Sequence, residues 1–168
     1  MVRMGTRNVL IVHHSPTEKL QAIADVVIGA AREAVDFLNS DGTPTSLTIR
    51  HALEPDVDEL LAADAVIFGT SANFGYISGA LKHYFDSTFV AYTEAQERGE
   101  VSKGLPVSWW IRGGYDTTGA AKAMEAITTG MNVQVAAEPV EFTGDLAGHE
   151  EALATMAQSV VGAVVASQ

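Results

Sequence analysis

Apolar residues in this chain follow two rhythms. Short unbroken runs, such as Val9-Leu10-Ile11-Val12 and Ala65-Val66-Ile67-Phe68, alternate with longer stretches in which apolar positions recur every three or four residues. The runs have the length of buried strands, and the periodic stretches that of amphipathic helices. A first strand is predicted over 8–13. Ser15-Pro16-Thr17-Glu18 then opens a helix carried by Leu20, Ile23, Ala24, Val27, Ala30, Ala31, Ala34 and Leu38. The turn residues Asn39-Ser40-Asp41-Gly42 end it. A second strand follows over 46–51, a short helix over 57–63 and a third strand over 65–70. A helix over 78–92 leads into a polar surface connection, 94–104. A fourth strand covers 105–111, with a loop at 112–116 and a helix over 117–130. A last strand lies within 132–142, broken by Pro139, and 150–166 forms a closing helix. Strands alternating with helices in this way predict a three-layer α/β fold around a doubly wound, five-stranded parallel sheet. No repeat, low-complexity tract or linker divides residues 1–168, so one domain is expected.

The most informative stretch follows the third strand. An apolar strand fits a parallel sheet covered on both faces, and such sheets bind ligands beyond the carboxyl ends of their strands. The loop there holds Ser71, Ala72, Asn73, Phe74, Gly75 and Tyr76. Phe74 and Tyr76 can stack on a flat conjugated ligand, and Gly75 lets the backbone approach a ring edge. The run Gly69-Thr70-Ser71-Ala72-Asn73-Phe74-Gly75-Tyr76-Ile77-Ser78-Gly79-Ala80-Leu81-Lys82 resembles the flavodoxin family. Within it, the run is closest to the branch of quinone reductases related to the tryptophan-repressor-binding protein. That branch carries Gly-Thr-Pro-x-x-Phe-Gly-x-x-Ser-Gly-x-Leu-Lys at this place. The resemblance implies a flavodoxin-like sheet of order 2-1-3-4-5, bound FMN, and a ring lined by residues 71–76.

The first loop, His13-His14-Ser15-Pro16-Thr17-Glu18-Lys19-Leu20, carries two readings. The resemblance makes it the FMN phosphate loop. Ser15 and Thr17 would act with the N–H groups of Thr17, Glu18, Lys19 and Leu20 at the positive end of a helix. Pro16 has no N–H, and Glu18 stands where many family members carry glycine; Lys19 could offset its charge. The second reading is a plain capping box, with Ser15 as N-cap, Pro16 at the first helical position and Glu18 reaching back to the Ser15 N–H.

After the fourth strand come Arg112, Gly113, Gly114, Tyr115 and Asp116. By resemblance this loop meets the far edge of the flavin. The glycines allow close approach, Tyr115 covers a ring face, and Arg112 faces a flavin carbonyl or an anionic substrate. Read without a ligand, Asp116 is the N-cap of the next helix, the glycines form the turn, and Arg112 is a surface arginine.

Composition narrows the function classes. There is no cysteine, so disulfides, thiolate metal sites and thiol catalysis are out, and a cytoplasmic location is expected. The start Met1-Val2-Arg3-Met4-Gly5 has no apolar leader, and no run is long enough for a membrane span. A net charge of −11 argues against nucleic acid as a partner. It suits solubility, or the steering of a basic redox partner. His13 and His14 are adjacent on a strand end and face opposite ways, so no metal is expected between them. Trp109 and Trp110 are expected in the core, facing the two helical layers. Asp56, Asp58 and Glu59 are expected to be solvated at a helix start. There is no Gly-x-Ser-x-Gly elbow, Walker-type loop or Gly-x-Gly-x-x-Gly fingerprint.

The resulting expectation is an FMN flavoprotein with NAD(P)H as co-substrate and a quinone-like small molecule or a redox protein as acceptor. No catalytic side chain is required, because the flavin carries the chemistry. The alternatives are a non-enzymatic flavodoxin-type electron carrier and a flavodoxin-like interaction domain that has lost FMN. A homo-oligomer is compatible with the apolar run Val160-Val161-Gly162-Ala163-Val164-Val165.

Overall fold

A computed structural model describes residues 5–166; the leader reading at residues 1–4 lies outside the described residues. The elements in chain order are β1 (Arg7–His13), α1 (Glu18–Ser40), β2 (Thr45–His51), α2 (Val57–Ala62), β3 (Ala65–Asn73) and β4 (Tyr76–Ile77). They continue with α3 (Gly79–Glu97), β5 (Pro106–Gly113), α4 (Thr118–Gly130), β6 (Gln134–Val135), β7 (Val140–Thr143) and α5 (Glu150–Ala166).

The described sheet has seven strands rather than five. Its main path runs β2-β1-β3-β5-β6, with β7 also paired to β5 and β4 paired antiparallel to β3. β6 lies beside Pro106 and Val107, and β7 beside Trp110 to Gly113, along one edge of β5. They are two halves of one strand, interrupted around Pro139, which has no N–H to give a ladder. The Ser108 hydroxyl bridges the gap by donating to the Ala137 carbonyl at 2.9 Å. With the halves counted as one and the small hairpin strand β4 set aside, the parallel core has the expected order 2-1-3-4-5.

Side chains alternate across each strand, so every central strand feeds both layers. On one face Val9, Ile11 and Ile67 pack under Ile23, Val27 and Ala31 of α1 and Leu153, Ala157 and Val161 of α5. On the other, Leu10, Val12, Val66 and Phe68 pack against Leu60 of α2, Leu81, Tyr84 and Phe85 of α3 and Met124 of α4. Each fully buried Val, Ile, Leu, Phe or Met among them contributes about 1.5–3 kcal/mol. Trp109 and Trp110 fall in opposite layers, as their adjacency on a strand demands.

Two expectations are corrected. α3 runs to Glu97 instead of stopping near residue 92, because its last turns carry buried Tyr92, Ala95 and Gln96. Gln96 Nε2 donates to the Met131 carbonyl at 3.0 Å, tying the helix end to the turn after α4. Glu59 is not free in solvent. It accepts from Arg50 Nε at 3.0 Å and Nη2 at 2.8 Å, a two-pronged pair that joins β2 to α2. Asp56 caps α2 by accepting from the Glu59 N–H at 3.2 Å.

Gly69 of β3 stands opposite Trp110 of the parallel neighbour β5, and a methyl group there would run into the indole. Gly69→Ala therefore overpacks a filled core and is expected to lower unfolding free energy by about 1–3 kcal/mol. Urea denaturation checks this; an unchanged midpoint would mean that Trp110 has room to turn away.

Candidate functional site

The strand order places the carboxyl ends of β1, β3 and β5 side by side. β1 hands over to α1 on one face of the sheet and β3 to α3 on the other, so their loops diverge. A crevice opens between diverging loops of this kind. Its rims are residues 14–17, 73–76 and 113–117, which brings together the three loops singled out in the sequence. The structure adds a fourth rim, the loop after β7. Lys19 Nζ pairs with Asp145 Oδ1 at 2.9 Å, and Arg112 Nε donates to the Gly144 carbonyl at 2.8 Å.

The central loop is a tight hairpin. Ala72 pairs with Ile77 and Asn73 with Tyr76, leaving Phe74 and Gly75 as the two turn residues. Both have positive φ, +53° and +77°, as the favoured two-residue hairpin turns of the I′ type require. Glycine adopts this freely, but for phenylalanine the left-handed region costs about 1–2 kcal/mol. The Phe74 ring gains nothing from the protein in return, being fully exposed, with a relative accessibility of 108%. The turn is nevertheless held. Thr70 Oγ1, buried beneath it, accepts from the Ser78 N–H at 2.9 Å, so the two arms are tied at their base. At its tip, the Gly75 carbonyl presses on Gly119 of α4, where any side chain would collide. Ser71 Oγ lies 3.0 Å from Asn73 Oδ1. Ala72 is half-buried, and Tyr76 and Tyr115 are exposed.

The first loop departs from the capping box. The N-cap of α1 is Thr17, not Ser15, and its Oγ1 accepts from the Leu20 N–H at 3.2 Å. Leu20 therefore has no free N–H, which corrects its place among the donors. The N–H groups of Thr17, Glu18 and Lys19 have no acceptor among the described residues. Pro16 precedes the cap, where its missing N–H costs the helix nothing. Ser15 turns inward instead: its Oγ is 2.8 Å from Nδ1 of His13. Lys19 reaches across to Asp145 and does not offset Glu18. Both Lys19 and Asp145 are exposed, so that pair contributes little to stability.

At the third loop, Arg112 and Gly113 belong to β5 itself. Arg112 is half-buried and commits its Nε to Gly144, so at most its terminal nitrogens face the crevice. The N-cap position of α4 is Thr117, and Asp116 acts one residue earlier, accepting from the Thr118 N–H at 3.0 Å and hydroxyl at 2.8 Å. Those bonds hold the Asp116 carboxyl below its ordinary pKa. Gly114 is exposed.

Sequence reasoning missed the histidines. His13 is buried at the end of β1, its ring 5.9 Å from that of Trp110. His14 meets His51 edge to face at 5.3 Å, and its Nδ1 is buried with no hydrogen-bond partner. Burial, with the neighbouring histidines second, holds both rings below their ordinary pKa. The signal was His13-x-Ser15 at a strand end, a spacing short enough for a side-chain hydrogen bond. Two cavities, of about 530 and 630 Å³, lie away from these loops. The first is at the opposite strand ends, by Asp64 and Pro106, and the second beside the split strand, by Pro139 and Met156. The crevice is the better candidate because that is where strain, exposed rings and free N–H groups coincide.

A doubly wound parallel sheet with this order and this crevice is the flavodoxin-like fold. An archaeal flavodoxin superposes with a TM-score of 0.72 at 14% identity, over 94% of this chain and 99% of that one. A flavodoxin described as a WrbA-like protein, from Agrobacterium tumefaciens, gives 0.67 at 15% identity, over 96% and 99%. In sequence the chain is similar to proteins named NAD(P)H dehydrogenase (quinone). It is 28% identical to that of Geobacter sulfurreducens over 127 residues, and 27% identical to that of Geotalea daltonii over 126 residues. The matches take in 66% of this chain and span 63% and 62% of those relatives' lengths. No family model matches the chain.

The buried histidines give an expected pH dependence. A folded-state pKa below the ordinary 6.5 means that the folded protein binds fewer protons than the unfolded chain. Stability is then fully present above about pH 6.5 and is lost as pH falls through the lowered folded values. His13→Phe removes one of the two groups and should make the loss below about pH 6.5 shallower. Urea midpoints across that range check it; parallel curves for the two proteins would refute it.

Proposed function

We propose that this chain is an FMN flavoprotein that oxidises NAD(P)H and delivers the electrons to a quinone-like acceptor. The observation that carries the reading is the Phe74-Gly75 turn. A phenylalanine held in a costly conformation, with its whole ring in solvent at the mouth of a switch-point crevice, gains nothing in folding. A flat ligand covering it would supply the missing burial.

The other residues fit a flavin phosphate as well as a ring. Three N–H groups at the start of α1 lack acceptors among the described residues, and in the same loop the buried His14 Nδ1 lacks a partner. On this reading Thr17, Glu18 and Lys19 hold the phosphate through their N–H groups, and Ser15 and Thr17 through their hydroxyls. Ser71 to Tyr76 line the ring, while Tyr115 and the backbone of Gly113 and Gly114 close the far side. When bound, FMN supplies hydride and electron transfer, so the chain needs no acid or base of its own. Its residues would hold and orient the flavin. The names of the similar curated proteins support the NAD(P)H and quinone parts. The net charge of −11 favours a second reading, a carrier that docks on a basic redox protein.

The protein incubated with excess FMN and then dialysed is expected to keep a visible flavin band and to oxidise NAD(P)H when a quinone is added. Retention of flavin with slow NAD(P)H oxidation would select the carrier, and no retained flavin would remove both readings. Gly75→Val puts a β-branched side chain at φ +77° and is expected to abolish flavin retention while the thermal transition persists. Unchanged retention would show that the 73–76 turn is not the ring site.

A further inference from the structure

His13 is a group that the proposed reaction does not use. It is buried at the carboxyl end of β1, under the ring of Trp110, with Nδ1 2.8 Å from Ser15 Oγ. Ser15 needs an explanation too. It does not cap α1, since Thr17 does, so its hydroxyl has no role in the helix.

The contact can be made in two ways, because a neutral imidazole carries one ring proton. If the proton is on Nε2, Ser15 must donate to Nδ1, and only hydroxyl lone pairs are left for the crevice. An anion there would be repelled. If the proton is on Nδ1, His13 donates to Ser15 Oγ, and the hydroxyl hydrogen is free to point at an anion. We propose that His13 is a positioning residue that holds the Nδ1–H tautomer and so turns the Ser15 hydroxyl into a donor for the flavin phosphate. The inference rests on the FMN reading above and deepens it.

The surroundings of the ring suit this role. Burial and the nearby His51 and His14 disfavour the cationic form of His13, and only Asp25 of α1 acts in the opposite sense. A neutral ring has a tautomer to choose, and a bound phosphate selects it. The loop also needs the extra donor. Pro16 provides no N–H, the Leu20 N–H is spent on Thr17, and the exposed Glu18 carboxylate stands at the same helix end. Lys19 is drawn off to Asp145. A serine hydroxyl aimed by a buried histidine makes up part of that deficit.

The test compares FMN with riboflavin, which has the same ring and no phosphate. Binding is followed by quenching of flavin fluorescence on the wild type, His13→Phe and His13→Asn, with thermal melting to establish folding. Phenylalanine keeps the ring against Trp110 and removes the donor; asparagine restores an N–H close to the position of Nδ1. His13→Phe is expected to weaken FMN by roughly tenfold, the effect of one charge-assisted hydrogen bond, and to leave riboflavin affinity unchanged. His13→Asn should recover most of the loss. Equal weakening for both flavins, or no change in FMN affinity, overturns the role of His13 while the FMN site stands. A wild type that binds riboflavin as tightly as FMN overturns the phosphate loop and this inference together. A wild type that binds neither flavin overturns the FMN reading itself.

Discussion

Seven consecutive residues of β3, Ala65 to Ser71, are buried, and the rest of the molecule follows from that. A strand without a solvent-facing side cannot exist alone. Its backbone groups need ladders on both edges, and its side chains need cover on both faces. β1 and β5 supply the ladders, both parallel to β3. α1 and α5 cover one face, and α2, α3 and α4 cover the other. Parallel pairing has a further result. The carboxyl ends of all three strands finish at one edge, so three separate loops must meet there.

That edge is where the sequence departs from what stability alone would select. Elsewhere polar groups are matched closely, the buried Tyr84 hydroxyl of α3 excepted. Arg50 forks onto Glu59, Gln96 reaches Met131, and Ser108 bridges the broken strand. At the loop edge a phenylalanine adopts a glycine-like conformation, and a buried histidine nitrogen has no partner. Such departures concentrate where a protein meets a ligand. The frame around them is firm, with Thr70 bonded beneath the hairpin and Gly119 packed against its tip. The strain is therefore held in place rather than relaxed.

The resemblance to flavodoxins and the structural likeness to them agree on the fold, but they bear differently on the chemistry. Structural neighbours at 14 and 15% identity carry only the sheet order and the layers. The relatives named for NAD(P)H and quinone are longer than the region they share with this chain. The reaction must therefore be argued from the loops, and there the first loop is the least family-like. It keeps Ser15 and Thr17 but holds them differently from a plain cap, with Thr17 bonded to the helix and Ser15 bonded to a histidine.

Much of the architecture was legible in the chain because periodicity is a local property. Apolar runs located β1 and β3, although β3 runs past the expected end at residue 70 to Asn73 because Ala72 and Asn73 pair with β4, and helical spacing gave α5 its bounds to the residue. The Phe74-Gly75 loop stood out because its run resembles a known pattern and sets two aromatic rings around a glycine at a strand end. What the sequence left open depends on residues far apart in the chain. α3 extends past residue 92 because Gln96 finds a carbonyl at Met131. Glu59 is paired because β2 brings Arg50 beside α2. Arg112 and Lys19 are drawn to the loop after β7, which only the parallel sheet sets next to them. The cap at Thr17 rather than Ser15 has a local cause instead: His13, two residues back at the end of β1, takes the serine. Local pattern determined which segments are strands and helices. Tertiary contact decided where their polar ends point, because a hydrogen bond is assigned by distance in space and not by order along the chain.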